Sequence, residues 1–426
     1  MDMQVRDSWE YGAYTLTKKD LLPENQNKVC KVSFVASELI ERLGDLSLLE
    51  VREMANMECA MHIVVDPDAQ KLFLMSKTQD SDPAHREIIQ KFFTKEKLGE
   101  FKAMCVDITK HWLETQVNQT EVLLFDSTHR LVCQCLIQGL MGYSECSDDD
   151  ITIHTQIWKN HFMPTSCQQK TASEYKQAGA WIYDTISNAF ENGFKICQYS
   201  YNIHFLDILI EKIYKETSEK PDTFCHYLKE NGYEETAIIP TVKTILLAGQ
   251  EKTGYLLGFM LYECTKNTYM QEKLARDTNG FENAFLELLR KYSVAGCKWI
   301  ADMDMVLTYP GAAHETKEHY IRKNDHLICS PFISGHDETL WEDPEIFDPN
   351  RANLDYVKKN PHFGFGKRDC IGKNIAKIQI KTILKTILAN AILLKTKEEL
   401  PPLLLSYTLR PKHDIHIKYH ALAPFR

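Results

Sequence analysis

Apolar residues recur at three- and four-residue intervals along most of the chain, and the spacing predicts helices over 86–116, 119–142, 172–194, 202–230, 236–265, 268–278, 281–291 and 371–394. Runs with strand character are shorter and fall near the start and in the last third: Met61–Val65, Leu327–Cys329, Leu403–Leu409 and Ile415–Tyr419. A helical body with small sheets is not a βαβ alternation, so the predicted class is mainly α with small β-sheets. Neither an internal repeat nor a Gly/Ser- or Pro-rich linker divides the 426 residues, which predicts one domain over 1–426. The stretch 144–172 is polar and aperiodic and is expected to be a loop with a short helix.

Charge and cysteine usage narrow the function classes. A formal charge of −9 argues against a general nucleic-acid binder, which should be basic. Thirteen cysteines, odd in number and spread from Cys30 to Cys370, fit buried thiols in a reducing compartment, and Cys133-x-Cys135 has no second pair to complete a zinc site. No run reaches the length of a membrane span, and the first 25 residues are too charged for a secretory signal. The expectation is a soluble, cytoplasmic monomer, a removed anchor being the alternative. His413, His416 and His420 are close in sequence, but on a strand His413 and His416 face opposite sides. Asn118-Gln119-Thr120 fits a glycosylation sequon without other signs of secretion, and no P-loop, H-E-x-x-H or G-x-S-x-G motif is present.

One cysteine stands apart. Phe363-Gly364-Phe365-Gly366-Lys367-Arg368-Asp369-Cys370-Ile371-Gly372 opens an apolar-periodic helix containing Ile375, Ala376, Ile378, Ile383, Leu384 and Ile387. At a helix N-terminus a thiolate is favoured by the dipole and by unsatisfied backbone N–H groups. Gly366 permits a tight turn, Gly372 lets a flat partner approach, and Arg368 supplies a cation for a cofactor carboxylate. Together these features describe a loop that offers Cys370 as the axial ligand of a haem iron.

Here the chain resembles the cytochrome P450 family, whose haem loop reads F-x-x-G-x-R-x-C-x-G; Phe363, Gly366, Arg368, Cys370 and Gly372 all match. Glu287-Leu288-Leu289-Arg290 matches the family's E-x-x-R helix, and Asp343-Pro344-Glu345-Ile346-Phe347-Asp348-Pro349-Asn350-Arg351 resembles the segment whose arginine completes a buried network. The resemblance thus implies that Glu287, Arg290 and Arg351 are structural. Tyr320–Leu327 resembles a family sheet strand. His85 opens a stretch like the propionate-contacting helix, though the arginine often found four residues on is Ile89; Lys298 is a further candidate cation. The match is specific from about 236 onward and diffuse over 1–84.

Pro240–Thr253 resembles the long helix on the far side of the haem, with the pattern A/G-G-x-D/E-T-T/S. Ala248 and Gly249 match and imply room for small ligands; Glu251 matches the acid and Thr253 the second alcohol, but Lys252 stands where the first threonine belongs. The family uses that alcohol to organise proton delivery during O–O cleavage. Three readings remain open: Thr253 takes over through a helix bulge; Lys252 faces the iron as a proton donor or ligand; or dioxygen is not activated and the substrate already carries oxygen.

The resemblance implies a P450 fold binding haem b, with Cys370 on iron, and a monooxygenase acting on a lipophilic sterol-, terpenoid- or fatty-acid-like molecule. Cys370–Ile383 and Ala248-Gly249-Gln250 are similar to sterol 14-demethylases. The alternatives are a haem-thiolate isomerase, dehydratase or peroxygenase, and a haem protein without turnover. Electrons are expected indirectly from NAD(P)H through a separate ferredoxin, flavodoxin or flavin reductase. Its expected docking site is the cationic stripe near Lys373 and Lys377.

Overall fold

The computed structural model describes residues 13–16, 61–64, 83–152, 155, 206–276, 280–294 and 297–422, the last span with short gaps that include 324–325, 360–361 and 367–368. The predicted helix 172–194 and most of 1–84 lie outside the described residues.

The chain divides into two compact units, one of 1–86, 114–124 and 255–426, the other of 87–113 and 125–254. In chain order the helices are α1 (Pro83–Phe92), α2 (Lys95–Gln116), α3 (Leu124–Gln134), α4 (206–217), α5 (Phe224–Glu230), α6 (Glu235–Lys266), α7 (Thr268–Arg276), α8 (Gly280–Lys291), α9 (Pro331–Gly335) and α10 (Lys373–Asn390). A π-helix (Cys135–Leu140) continues α3, and a 3-10 helix covers Leu354–Lys359.

All described strands belong to the first unit: β1 (Ala13–Leu16), β2 (Met61–Val64), β3 (Val122–Leu123), β4 (Cys297–Ile300), β5 (Met305–Pro310), β6 (Thr316–Ile321), β7 (His326–Cys329), β8 (Ala391–Lys395), β9 (Leu403–Leu405), β10 (Leu409–Pro411) and β11 (His416–Ala421). They form a four-stranded sheet in the order β1-β2-β7-β4, a three-stranded sheet β3-β11-β8, and the pairs β5-β6 and β9-β10. In the largest sheet β2 runs parallel to β7, with Ile63 opposite Ile328, and the other pairings are antiparallel.

In the first unit α10 shows why the sequence folds this way. Ile375, Ile380, Ile383, Leu384, Ile387 and Leu388 fall at helical spacing and are all buried, each side chain contributing about 1.5–3 kcal/mol of transfer free energy. Helical periodicity predicts α10 to run to 394, yet it stops at Asn390 and Ala391 turns extended. Residues 391–395 become β8, because Leu393 and its neighbours find a ladder partner in β11. On β11, Ile417 and Tyr419 are buried while Lys418 and His420 are exposed, the two-residue alternation of a half-buried strand. His416, the first residue of that strand, pairs through Nδ1 with Glu398 at 3.0 Å. Among the described residues no group of three metal-ligating side chains forms.

In the second unit the predicted helix 202–230 is interrupted, α4 ending at 217 and α5 starting at 224. Thr223 caps α5 by accepting from His226 N at 3.3 Å, and Asp222 ahead of it adopts φ 67°. The expected stretch 86–116 likewise breaks at Phe93 and Thr94, where Thr94 Oγ1 accepts from Lys97 N at 3.2 Å. The 144–172 region carries a short helical stretch at 148–152, the greater part of it lying outside the described residues. No helix among the described residues is long and apolar enough to cross a membrane.

Candidate functional site

In the first unit the chain reaches Cys370 through two glycines in left-handed conformation, Gly364 at φ 71° and Gly366 at φ 69°. A side chain at either position would be strained, so their identity follows from the backbone path. Cys370 N donates to Phe363 O at 2.6 Å and Asp369 N donates to Gly366 O at 3.2 Å, closing the loop on itself. Gly372 then caps α10, its carbonyl accepting from Ala376 N at 2.8 Å. Cys370 is exposed, whereas Cys105, Cys133, Cys135, Cys225 and Cys264 are buried. A Cβ on Gly372 would lie 3.8 Å from Cys370 Sγ with nothing else within 4 Å. The surface beside the sulfur is therefore kept bare.

That donor chemistry fits a haem. A soft sulfur donor stands at the positive end of an 18-residue helix, with no Cβ next to it to obstruct a flat macrocycle. Arg368, the expected propionate cation, lies outside the described residues. Arg86 on α1 does reach the loop: its guanidinium donates to the Asp369 carboxylate at 2.5 Å and also to the Asp369 carbonyl. Sequence reasoning stopped one residue short, at the half-buried His85. Lys298 lies on β4, its side chain outside the described residues. His362, before Phe363, meets Ser293 Oγ through Nδ1 at 3.1 Å. Burial, reinforced by nearby Lys373, lowers its pKa to about 3 and keeps the imidazole neutral.

In the same unit, Glu287, Arg290 and Arg351 come together. Arg290 donates to both Glu287 oxygens at 2.8 Å, and Arg351 Nε donates to Glu287 Oε1 at 3.1 Å. Asp348 N also donates to Oε1, at 2.9 Å. Further guanidinium N–H groups donate to the carbonyls of Gly335 and Ile346 for Arg290, and of Glu342, Asp343 and Ile346 for Arg351. Glu287 and Arg290 are wholly buried, so the charges depend on these partners and, for Arg290, on the Trp341 ring 5.4 Å from its guanidinium carbon. Gly335 is held to glycine, since a Cβ there would lie 2.1 Å from Arg290 O.

The second unit carries Ala248, Gly249, Glu251, Lys252 and Thr253 on α6. The helix is regular from Glu235 to Lys266, so no bulge moves Thr253 into the register of Lys252. Ala248 is exposed and Lys252 half-buried, whereas Glu251 and Thr253 are buried. Lys252 Nζ lies 3.7 Å from Glu251 Oε2, which places an acid and a base side by side. A Cβ on Gly249 would lie 3.1 Å from Leu136 Cδ1 of the π-helix, so close helix packing accounts for that glycine.

Sequence reasoning missed the support for this turn. His129 on α3 faces Glu251 O with Nε2 at 3.2 Å and Phe125 O with Nδ1 at 2.6 Å. Thr128 Oγ1 donates toward Gly254 O at 3.2 Å and Phe125 O at 3.0 Å. The His129 ring occupies the place of a side chain at 254, with Cδ2 at 2.6 Å from where a Cβ would stand. No local sequence signal links residues 129 and 254, which are brought together by helix packing alone.

Comparison with known proteins gives one family. The family profile described as Cytochrome P450 matches residues 282–417. Probable cytochrome P450 6a19 of Drosophila melanogaster is 27% identical over 239 residues, 50% of this chain and 42% of that protein. Vitamin D3 dihydroxylase of Streptomyces griseolus is 25% identical over 163 residues, 38% of this chain and 37% of that protein. The mitochondrial cholesterol side-chain cleavage enzyme of Equus caballus is 27% identical over 200 residues, 42% of this chain and 38% of that protein. The matched stretches span about two fifths of the length of these curated relatives. Among solved structures, the versatile cytochrome P450 enzyme CYP109B1 from Bacillus subtilis matches with a TM-score of 0.62 and 17% identity, over 84% of this chain and 93% of that one.

Proposed function

We propose that this chain, which belongs to the cytochrome P450 family, is one P450 domain over 1–426 and works as a haem-thiolate monooxygenase on a lipophilic small molecule. The observation that carries the reading is the exposed Cys370 thiol at the head of α10, beside the bare Gly372. Haem b, bound through Cys370, supplies the redox and dioxygen chemistry, the thiolate pushing electron density toward the iron. Arg86 and the left-handed glycines hold the loop so that Cys370 Sγ keeps one orientation, and Arg368 and His85 are assigned to the propionates. Glu287, Arg290 and Arg351 are structural: they tie α8 to the segment 342–351 and take no part in chemistry.

On α6, Lys252 Nζ is assigned to giving the proton that the reaction consumes, and the Glu251 carboxylate, 3.7 Å away, to orienting the ammonium. Thr253 is buried one residue on, out of that register, and is left outside the proton route. The relatives named for vitamin D3 and cholesterol support a sterol-like substrate, as does the likeness of the Cys370 helix to sterol 14-demethylases. Electrons come indirectly from NAD(P)H through a separate protein that docks near Lys373 and Lys377, and the protein acts as a cytoplasmic monomer.

The test is an absorption spectrum of the purified protein, ferric and then reduced under carbon monoxide. A strongly red-shifted Soret band under carbon monoxide, lost in Cys370→Ser, is the expected result. A nitrogen-ligated ferric spectrum without carbon monoxide binding overturns the monooxygenase reading. A second reading is favoured by the unbroken α6: with no bulge to bring Thr253 into register, an isomerase, dehydratase or peroxygenase needing no dioxygen activation fits Lys252.

A further inference from the structure

Lys373, Lys377 and Lys381 stand one turn apart on α10, and each ammonium lies over a phenyl ring: 5.7 Å from the centre of Phe363, 5.9 Å from Phe285 and 5.1 Å from Phe281. The rings are themselves stacked in a row, with centres 6.5 Å and 5.5 Å apart. Phe281 and Phe285 are one turn apart on α8, so the shared four-residue spacing of two helices makes a ladder of three cations over three aromatic faces. Such seating limits the rotamers of the long side chains before any partner arrives, which lowers the entropy lost on docking.

The rungs differ in charge. Glu282, in the first turn of α8, sets Oε2 2.5 Å from Lys377 Nζ and Oε1 3.7 Å from Lys381 Nζ. Lys373, nearest to the Cys370 loop, has no carboxylate partner among the described residues and is exposed. The Glu282 and Lys377 side chains are 47% and 38% exposed, so their ion pair is open to solvent and exchangeable.

We infer that Glu282 is a built-in competitor for the carboxylates of an acidic iron–sulfur ferredoxin. The inference rests on the docking reading above and adds what sets the affinity. The partner pairs first with Lys373, and a second carboxylate, displaced by about one helical turn of roughly 5.4 Å, exchanges with Glu282 for Lys377. A partner with a single carboxylate, or with carboxylates set wider, leaves Glu282 in place and binds weakly. Glu282 thereby selects among acidic proteins on a chain whose overall charge of −9 otherwise repels them.

The experiment is a binding titration of the haem-loaded protein with a plant-type [2Fe–2S] ferredoxin across a range of salt concentrations. Glu282→Gln is expected to tighten binding about three- to tenfold at low salt and to steepen the salt dependence. Glu282→Asp, too short to reach both lysines, is expected to fall between Gln and wild type, and Lys373→Glu to weaken binding about tenfold. The carbon monoxide spectrum of each variant checks that the thiolate site is intact. If Lys373→Glu weakens binding and Glu282→Gln leaves it unchanged or weaker, the competitor role is overturned while docking stands. If neither variant changes the affinity, docking at this face fails as well. Tightening by Glu282→Gln toward a flavodoxin but not the ferredoxin overturns the choice of partner.

Discussion

The Cys370 loop and the 248–254 turn of α6 both depend on paired glycines, but for different reasons. Gly364 and Gly366 adopt positive φ, so the loop's own backbone excludes other residues. Gly249 and Gly254 lie in a regular helix, where Leu136 and His129 fill the space their side chains would need. The first pair is constrained within a few residues of Cys370. The second is constrained by helices more than a hundred residues away in sequence. A motif of the first kind is readable from one sequence, whereas the second becomes intelligible only when the packing partner is known.

The same contrast governs how each region should fail. The largest effect is expected at the buried ion network of the first unit: Glu287→Ala strands Arg290 in a wholly buried site and should cost about 3–5 kcal/mol, giving apoprotein or insoluble material. Urea unfolding followed by haem absorbance measures it, and a soluble, haem-loaded mutant of unchanged midpoint contradicts the network's role.

A smaller effect separates the two kinds of glycine. Gly254→Ala drives a methyl group into the His129 ring and should cost about 1–3 kcal/mol, much of it recovered in the double variant with His129→Ala. Gly364→Ala should cost a comparable amount, about 1–3 kcal/mol, from positive φ, and trimming a neighbouring side chain should not restore it. Double-mutant cycles on unfolding midpoints decide the matter; equal rescue at both positions would erase the distinction.

The smallest expected change is chemical. Lys252→Thr removes the ammonium beside Glu251 and restores the alcohol of the family pattern. Coupling of reductant consumption to product should rise about threefold, equivalent to about 0.7 kcal/mol in the partition between productive and wasted turnover. An unchanged ratio would show that Lys252 neither blocks nor replaces the usual proton route.

Much of the fold could be read in advance where one periodicity ran without competition. The stretch 281–291 is a helix within one residue of that span, and the strand runs at 61, 327 and 415 all pair in sheets. Misreadings came where two local preferences met. Ala391–Leu394 continues the apolar pattern of α10, yet β11 offers it a hydrogen-bonding edge and it becomes β8. The helical periodicity of 119–142 also covers Val122–Leu123, which instead pairs with β11.

The cysteine loop, its glycines and the Glu287–Arg290 spacing are legible in the residue order, because turns and single helical turns are set by neighbouring residues. Packing between distant segments set the contact of Arg86 with Asp369, the support of the Glu251 carbonyl by His129, and the pairing of Glu282 with two of the lysines on α10. Those contacts join residues 283, 122 and 95 positions apart for Arg86–Asp369, His129–Glu251 and Glu282–Lys377, respectively. Hydrogen bonding and ion pairing act over a few ångströms, so only packing that closes such separations creates them.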